Sequence, residues 1–179
     1  LEKGSKENYM FFTLPMSLNY QRNSYVLWKC ANRMYADKAA RRVFDSREVC
    51  AMPEEFLRKY LVEYKVALQP NKQPLIWKKL CETIEEKLDG DIRNLFAANA
   101  YSVKKIKDYI NENKKDFPYL GGNKICNYWL YVMEQYTDVQ FNDRENISVA
   151  PDTHVIQASQ RLGVISEEEM LAANVLQLV

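Results

Sequence analysis

The side chains best placed to do chemistry fall in two stretches, FPYLGGNKICNYWLYVM from Phe117 to Met133 and APDTHVIQASQRLG from Ala150 to Gly163. In the first, Pro118, Gly121 and Gly122 mark a tight turn, and the helix that follows carries Lys124 in its first turn. Glycine reaches positive φ at no steric cost and lets the backbone come close to a ligand. Gly121 and Gly122 are therefore expected to leave consecutive N–H groups pointing outward at a helix start. Such a start binds anions, and phosphate is the obvious one. In the second stretch Asp152, after Pro151, is placed to cap a further helix. One carboxylate oxygen can accept backbone N–H bonds while the other faces a cleft, and those bonds keep the group ionised. A lysine in a helix's first turn is ordinarily a surface charge; the adjoining glycines and Asp152 give Lys124 a chemical setting.

The elements that position these groups read as helices. Residues 1–14 form a polar lead-in that ends in the apolar run Met10 to Leu14. Helix signals follow from Met16 to Tyr35, from Asp37 to Phe44, and from Glu54 to Val66 after Pro53. In the last of these Phe56, Tyr60 and Tyr64 recur at i, i+4, i+8 beside Leu57 and Leu61, which predicts one buried stripe. Gln69 to Pro74 breaks the chain before a longer helix, Leu75 to Leu88, with Ile76, Leu80, Ile84 and Leu88 on one face. A short helix over Asp91 to Asn99 precedes one from Val103 to Lys114, capped by Ser102, with Val103, Ile106 and Ile110 inward and its lysines outward. After the turn, Ile125, Trp129, Val132 and Met133 carry helical spacing to Gln135. An irregular polar loop, Asp138 to Val149, leads to the helix Thr153 to Leu162. Ser166 and Glu169 make a capping box for a final helix.

The expected fold class is thus all-α, a single multi-helix domain over residues 1–179. A chain of this length with 47% hydrophobic residues can bury roughly two thirds of its unfolded surface. Trp28, Trp77 and Trp129 lie on apolar stripes and read as core, whereas Tyr20, Tyr119 and Tyr128 are better placed for contact with a ligand. Cys30, Cys50, Cys81 and Cys126 include no C-x-x-C pair, so no zinc site, iron–sulfur loop or other cofactor is expected. No leader and no apolar run of about 18 residues stands out, which leads us to expect a soluble cytoplasmic protein. The chain starts at Leu1 and stops in an unfinished apolar pattern, as a fragment of a longer protein would. The formal charge of +1 is small for a nucleic-acid binder, whose affinity comes from Lys and Arg neutralising phosphates. It suffices only if the positive charge is gathered on one face.

Together the two stretches resemble the helix-hairpin-helix DNA glycosylases, the endonuclease III and 8-oxoguanine glycosylase group. The likeness rests on Phe117, Pro118, Gly121, Gly122 and Lys124, then on Pro151, Asp152, Thr153, His154, Val155, Arg161, Leu162 and Gly163. Tyr119 stands where that family usually has glycine, and the lysine-to-aspartate spacing, 152 − 124 = 28, exceeds that of endonuclease III. Longer spacing is associated with the archaeal 8-oxoguanine branch. The resemblance implies a hairpin motif over residues 103–136 and an aspartate-bearing helix over 152–162. It implies that Lys124 is the nucleophile and that Asp152 stabilises positive charge on the sugar, with His154 a packing residue. It also implies DNA contacts by Leu120, Gly121, Gly122 and Asn123 of the turn. Asn19, Gln21 and Arg22 would face the DNA, Gln21 or Asn19 filling the gap left by a flipped base. The expected activity is bifunctional excision of a damaged base, oxidised purine first, from duplex DNA by a monomer. A hairpin module that binds DNA without catalysis, and a helical protein-interaction domain, are the rival expectations.

Overall fold

The computed structural model describes residues 1–148 and 153–169. Among the described residues all regular structure is helical, as composition and periodicity require. Residue contacts divide the chain into two units, Leu1–Ser148 and Val149–Val179.

The first unit begins with α1, Lys6–Thr13, a helix that the sequence hides behind its charged start. Its local signal is Ser5, whose hydroxyl accepts the Asn8 amide at 3.1 Å. A 3-10 turn, Pro15–Leu18, ends at an irregular stretch, and α2 is Ser24–Ala36. The continuous helix expected from Met16 to Tyr35 is therefore broken. Gln21 takes φ +49°, and the Asn23 side chain accepts the Val26 amide at 3.1 Å and starts α2 afresh. Asp37 to Phe44 forms only a 3-10 turn, Ala40–Phe44, after which Asp45 caps an unexpected α3, Ser46–Ala51. Next come α4, Glu54–Glu63, and α5, Gln73–Lys87. The stripe expected on α4 is narrower than the pattern suggests: Leu57 and Leu61 are buried, but Phe56 is 48% exposed. The unit continues with α6, Arg93–Ala98, α7, Val103–Glu112, and α8, Asn123–Tyr136.

The core gathers around two fully buried tryptophans. Trp77 of α5 donates its indole N–H to the Val43 carbonyl at 2.8 Å, and Trp129 of α8 donates to the Thr13 hydroxyl at 3.1 Å. Each thus satisfies its polar edge while burying a large apolar surface. Phe96 stacks at a tilt on Trp129 with ring centroids 5.4 Å apart and meets the edge of Tyr9. Burial pushes the Tyr9 hydroxyl up to about 12, and it donates to Asp138 at 2.8 Å.

In the second unit α9 is Thr153–Arg161. Gly163, at φ +68°, closes it, with Val164 N–H returning to the Ser159 carbonyl at 2.8 Å. The Ser166–Glu169 capping box forms as its sequence demands: each side chain accepts the other's backbone N–H, at 3.2 and 2.8 Å.

One loop residue bears directly on the turn-bearing helices. Asp143 accepts from the amides of Val103 and Lys104, at 2.6 and 3.2 Å, and from the Ser102 hydroxyl at 2.9 Å, so the 138–148 loop caps α7. Burial favours the neutral acid, but the bonds from Lys104, Ser102, Val103 and Asn146 outweigh it and hold the carboxyl below its ordinary pKa. A depressed carboxyl contributes stability above its unfolded pKa and loses that contribution as pH falls through the folded value. Asp143→Ala is therefore expected to lower urea stability by about 1 kcal/mol at pH 7. The difference from wild type should shrink as the pH drops below the carboxylate range; a constant difference would refute the cap.

Candidate functional site

The turn between α7 and α8, residues 113–122, is pinned from beneath. Phe117 and Leu120 are fully buried, and Phe117 meets the edge of Tyr109 at 6.0 Å. Leu120 therefore has only its main chain left for a ligand. The residue in the left-handed region is Tyr119, at φ +62°, and neither glycine takes positive φ; Gly122 has φ −70°. The glycines are required for close approach. A Cβ on Gly121 would sit 3.3 Å from the Ile110 side chain, and one on Gly122 would sit 3.3 Å from the Tyr119 carbonyl. Their N–H groups do not point outward as a pair: Gly121 donates to the Phe117 carbonyl and Gly122 to that of Tyr119, both at 3.1 Å.

Gly122 is the N-cap of α8 and no side chain caps that helix. The first turn is fixed from within by Asn127, buried to 2% exposure, whose amide donates to the Asn123 carbonyl and side chain at 2.8 and 2.9 Å. The Asn127 carbonyl oxygen accepts from the Lys107 ammonium at 3.1 Å and the Ser148 amide at 3.0 Å. Asn127 therefore ties α7, α8 and the 146–148 segment together. Asn123, read as a DNA contact, uses its side-chain oxygen inside this knot. Lys124 lies on the exposed side of the same turn.

Tyr128 is one helical turn beyond Lys124, on the same side of α8. It borders a cavity of about 330 Å³ whose walls include Phe11, Phe12, Trp28, Asn32 and Tyr136. The rings of Phe12 and Tyr136 stack with centroids 5.3 Å apart. Trp28 is half-buried in this wall and not sealed in the core, in contrast to Trp77 and Trp129. The groove is the feature that sequence reading misses. Its walls come from α1, α2 and α8, and only Tyr128, four residues after Lys124, gave a local signal.

The polar cluster before α2 divides. Asn19 is buried to 7% exposure, with its oxygen accepting from the Ser24 hydroxyl at 2.9 Å. Arg22 donates to the Val66 carbonyl and, at 2.9 Å, to that of Lys65. Burial lowers its pKa, and its Nε has no partner. Arg22 is thus a strap across the protein's own backbone, and its guanidinium is not offered to a phosphate. Gln21 alone of the three is exposed. Tyr20 and Tyr119 do come together, their rings 4.8 Å apart, so the stretch before α2 lies against the turn.

Asp152 lies outside the described residues, as does the His154 side chain. Among the described residues no group of His, Cys, Asp and Glu could hold a metal ion. The thiols of Cys81 and Cys126 are pushed up by burial, Cys126 to about 11, and so are protonated and unreactive. No described helix is long and apolar enough to cross a membrane. No family model, curated protein or solved structure matches the chain.

If Arg22 is a strap, removing its head group strands two carbonyls while leaving surface charge elsewhere intact. Arg22→Met should lower the stability measured by urea denaturation by about 1–3 kcal/mol. An unchanged midpoint would return Arg22 to the surface.

Proposed function

We propose that the protein is a bifunctional DNA N-glycosylase and AP lyase that acts as a monomer on duplex DNA and removes a damaged base, oxidised purine above all. The observation that carries the reading is the run along α8, in which Lys124 stands exposed in the first turn and Tyr128 begins an aromatic-walled groove one turn later. An enzyme that works on a base must first draw it from the stack, at a cost of a few kcal/mol. A groove bounded by Trp28 and Tyr128 can recover part of that cost by stacking, and the Asn32 amide offers both a donor and an acceptor to a base edge.

In this reaction the Lys124 amine, once it has given up its proton, attacks C1′ of the extruded nucleotide. The new C1′–N bond forms as the bond to the base breaks, and the base leaves with the shared electron pair. Loss of a proton and ring opening give a Schiff base, from which β-elimination expels the 3′ phosphate and nicks the strand. Asp152, as its carboxylate, would stabilise positive charge on the sugar and accept the lysine proton. Gln21, exposed in a left-handed conformation, is the side chain available to fill the gap left in the duplex. The modest net charge fits this reading because Lys114, Lys115 and Lys124 are exposed around one turn. A cytoplasmic protein working on the nucleoid is the corresponding location.

Lys124→Gln should abolish base release and nicking of an 8-oxoguanine duplex while leaving its affinity near wild type. Affinity and folding lost together would make the lysine structural, and wild-type nicking would remove it from the chemistry. Asp152→Asn keeps the side chain's size but not the charge, so single-turnover base release should fall on the order of 100-fold; unchanged release would refute the role. A wild-type protein that shifts DNA reversibly but releases no base from any lesion in a panel would instead be a binding module.

A further inference from the structure

Lys72 lies in the segment between α4 and α5, a region to which the reading above gives no part. Its ammonium sits over two aromatic rings, 5.7 Å from the centroid of Tyr20 and 5.0 Å from that of Tyr119. Residues 20, 72 and 119 come from separate segments, and the machinery that joins them is elaborate. Arg22 grips the carbonyls of Lys65 and Val66. The buried side chain of Gln73 accepts from the amides of Leu68 and Gln69, so the segment is fixed at both ends. Gln21 and Tyr119, flanking or forming the ring pair, both hold positive φ, as does Lys65 at +57°. Left-handed backbone at non-glycine residues is unfavourable and gathers where a site requires it.

The charge of Lys72 is also unlike that of its neighbours. Lys79 and Lys87, further along α5, share Asp116 at 3.2 and 2.6 Å. Among the described residues no carboxylate lies within ion-pair distance of Lys72. Its interaction with Tyr119 raises its pKa above the ordinary lysine value, so it is a full cation at neutral pH. An exposed cation over an aromatic face is only weakly attracted to it. The attraction biases where the ammonium sits, while its remaining donors stay available to an anion.

We infer that Lys72, seated on Tyr20 and Tyr119, is a backbone anchor that binds one internucleotide phosphate of the DNA strand lying along the turn. The inference rests on the DNA reading above, for Tyr119 is five residues before Lys124 and belongs to the same turn. The ammonium, with the Tyr119 hydroxyl beside it, takes the phosphate, and the ring pair holds the ammonium at a fixed height. This contact carries no sequence information; it adds affinity for the backbone of any duplex.

The test is the salt dependence of binding, measured by fluorescence anisotropy with an undamaged duplex and an 8-oxoguanine duplex. Lys72→Met should reduce the slope of log K against log salt by about 0.9, the loss of one phosphate contact, and by the same amount for both duplexes. Lys72→Arg should restore the slope. Tyr119→Phe, which keeps the ring, should retain most of it. A Lys72→Met slope equal to wild type, with base release intact, overturns the anchor alone. If the wild type binds DNA but releases no base and the Lys72→Met slope still drops, the anchor stands and the enzyme reading falls. Wild-type protein without DNA affinity at low salt overturns both. Inorganic phosphate that binds wild type but not Lys72→Met, while the DNA salt slope is the same for both proteins, would assign the site to a free anion and overturn the strand assignment.

Discussion

The site depends on how α8 is held, and one buried hydrogen bond fixes the rotation of its core face. The indole N–H of Trp129 meets the Thr13 hydroxyl, which itself donates to the Tyr9 carbonyl at 2.8 Å. A fully buried tryptophan whose N–H lacked a partner would forfeit about 1–3 kcal/mol, so the bond selects one rotation of α8 about its own axis. A slip of one residue would turn every side chain on the helix through about 100°. Lys124 would then leave the exposed face, and Tyr128 would leave the groove. The chemistry proposed for Lys124 thus rests on the polar edge of a core residue and on α1, the helix that accepts it.

The loops obey the same rule by other means. Arg22, Gln73, Asn127 and Asp143 are polar side chains committed to the protein's own backbone. Each satisfies main-chain groups at a loop or helix end where regular hydrogen bonding stops. Together they fasten the stretch before α2, the segment between α4 and α5, the turn between α7 and α8, and the loop after α8. What remains on the surface around the turn includes Gln21, Lys72, Lys114, Lys115, Lys124 and the edges of Tyr20 and Tyr119. Strain at Gln21, Lys65 and Tyr119 is the cost of this arrangement.

Where the sequence carries a periodic apolar face or a short-range cap, it discloses the structure well. The inward residues of α5 and α7, the burial of Trp77 and Trp129, the Ser102 cap and the Ser166–Glu169 box all follow from spacing alone. Signals that depend on distant partners are not legible in this way. α1 begins in charged residues and is helical because nearly every side of its second half is buried, which no local pattern records. Arg22 reads as a surface cation because its acceptors are 43 and 44 residues away. Positive φ falls on Tyr119 and not on the glycines, because Phe117 and Leu120 must both point inward and the glycines are needed for close contact with Ile110 and Tyr119. The aromatic groove needs three helices before it exists. Lys124 is legible from the glycines beside it, whereas Lys72 acquires its setting only when residues 20 and 119 meet.

The most direct measurement is borohydride trapping on a duplex bearing 8-oxoguanine, followed by proteolysis and mass spectrometry of the adduct. Reduction of the Schiff base would fix the nucleotide to the attacking amine, and the account predicts a single modified peptide with the sugar on Lys124. No adduct in the presence of base release, or an adduct on any other lysine, would contradict it.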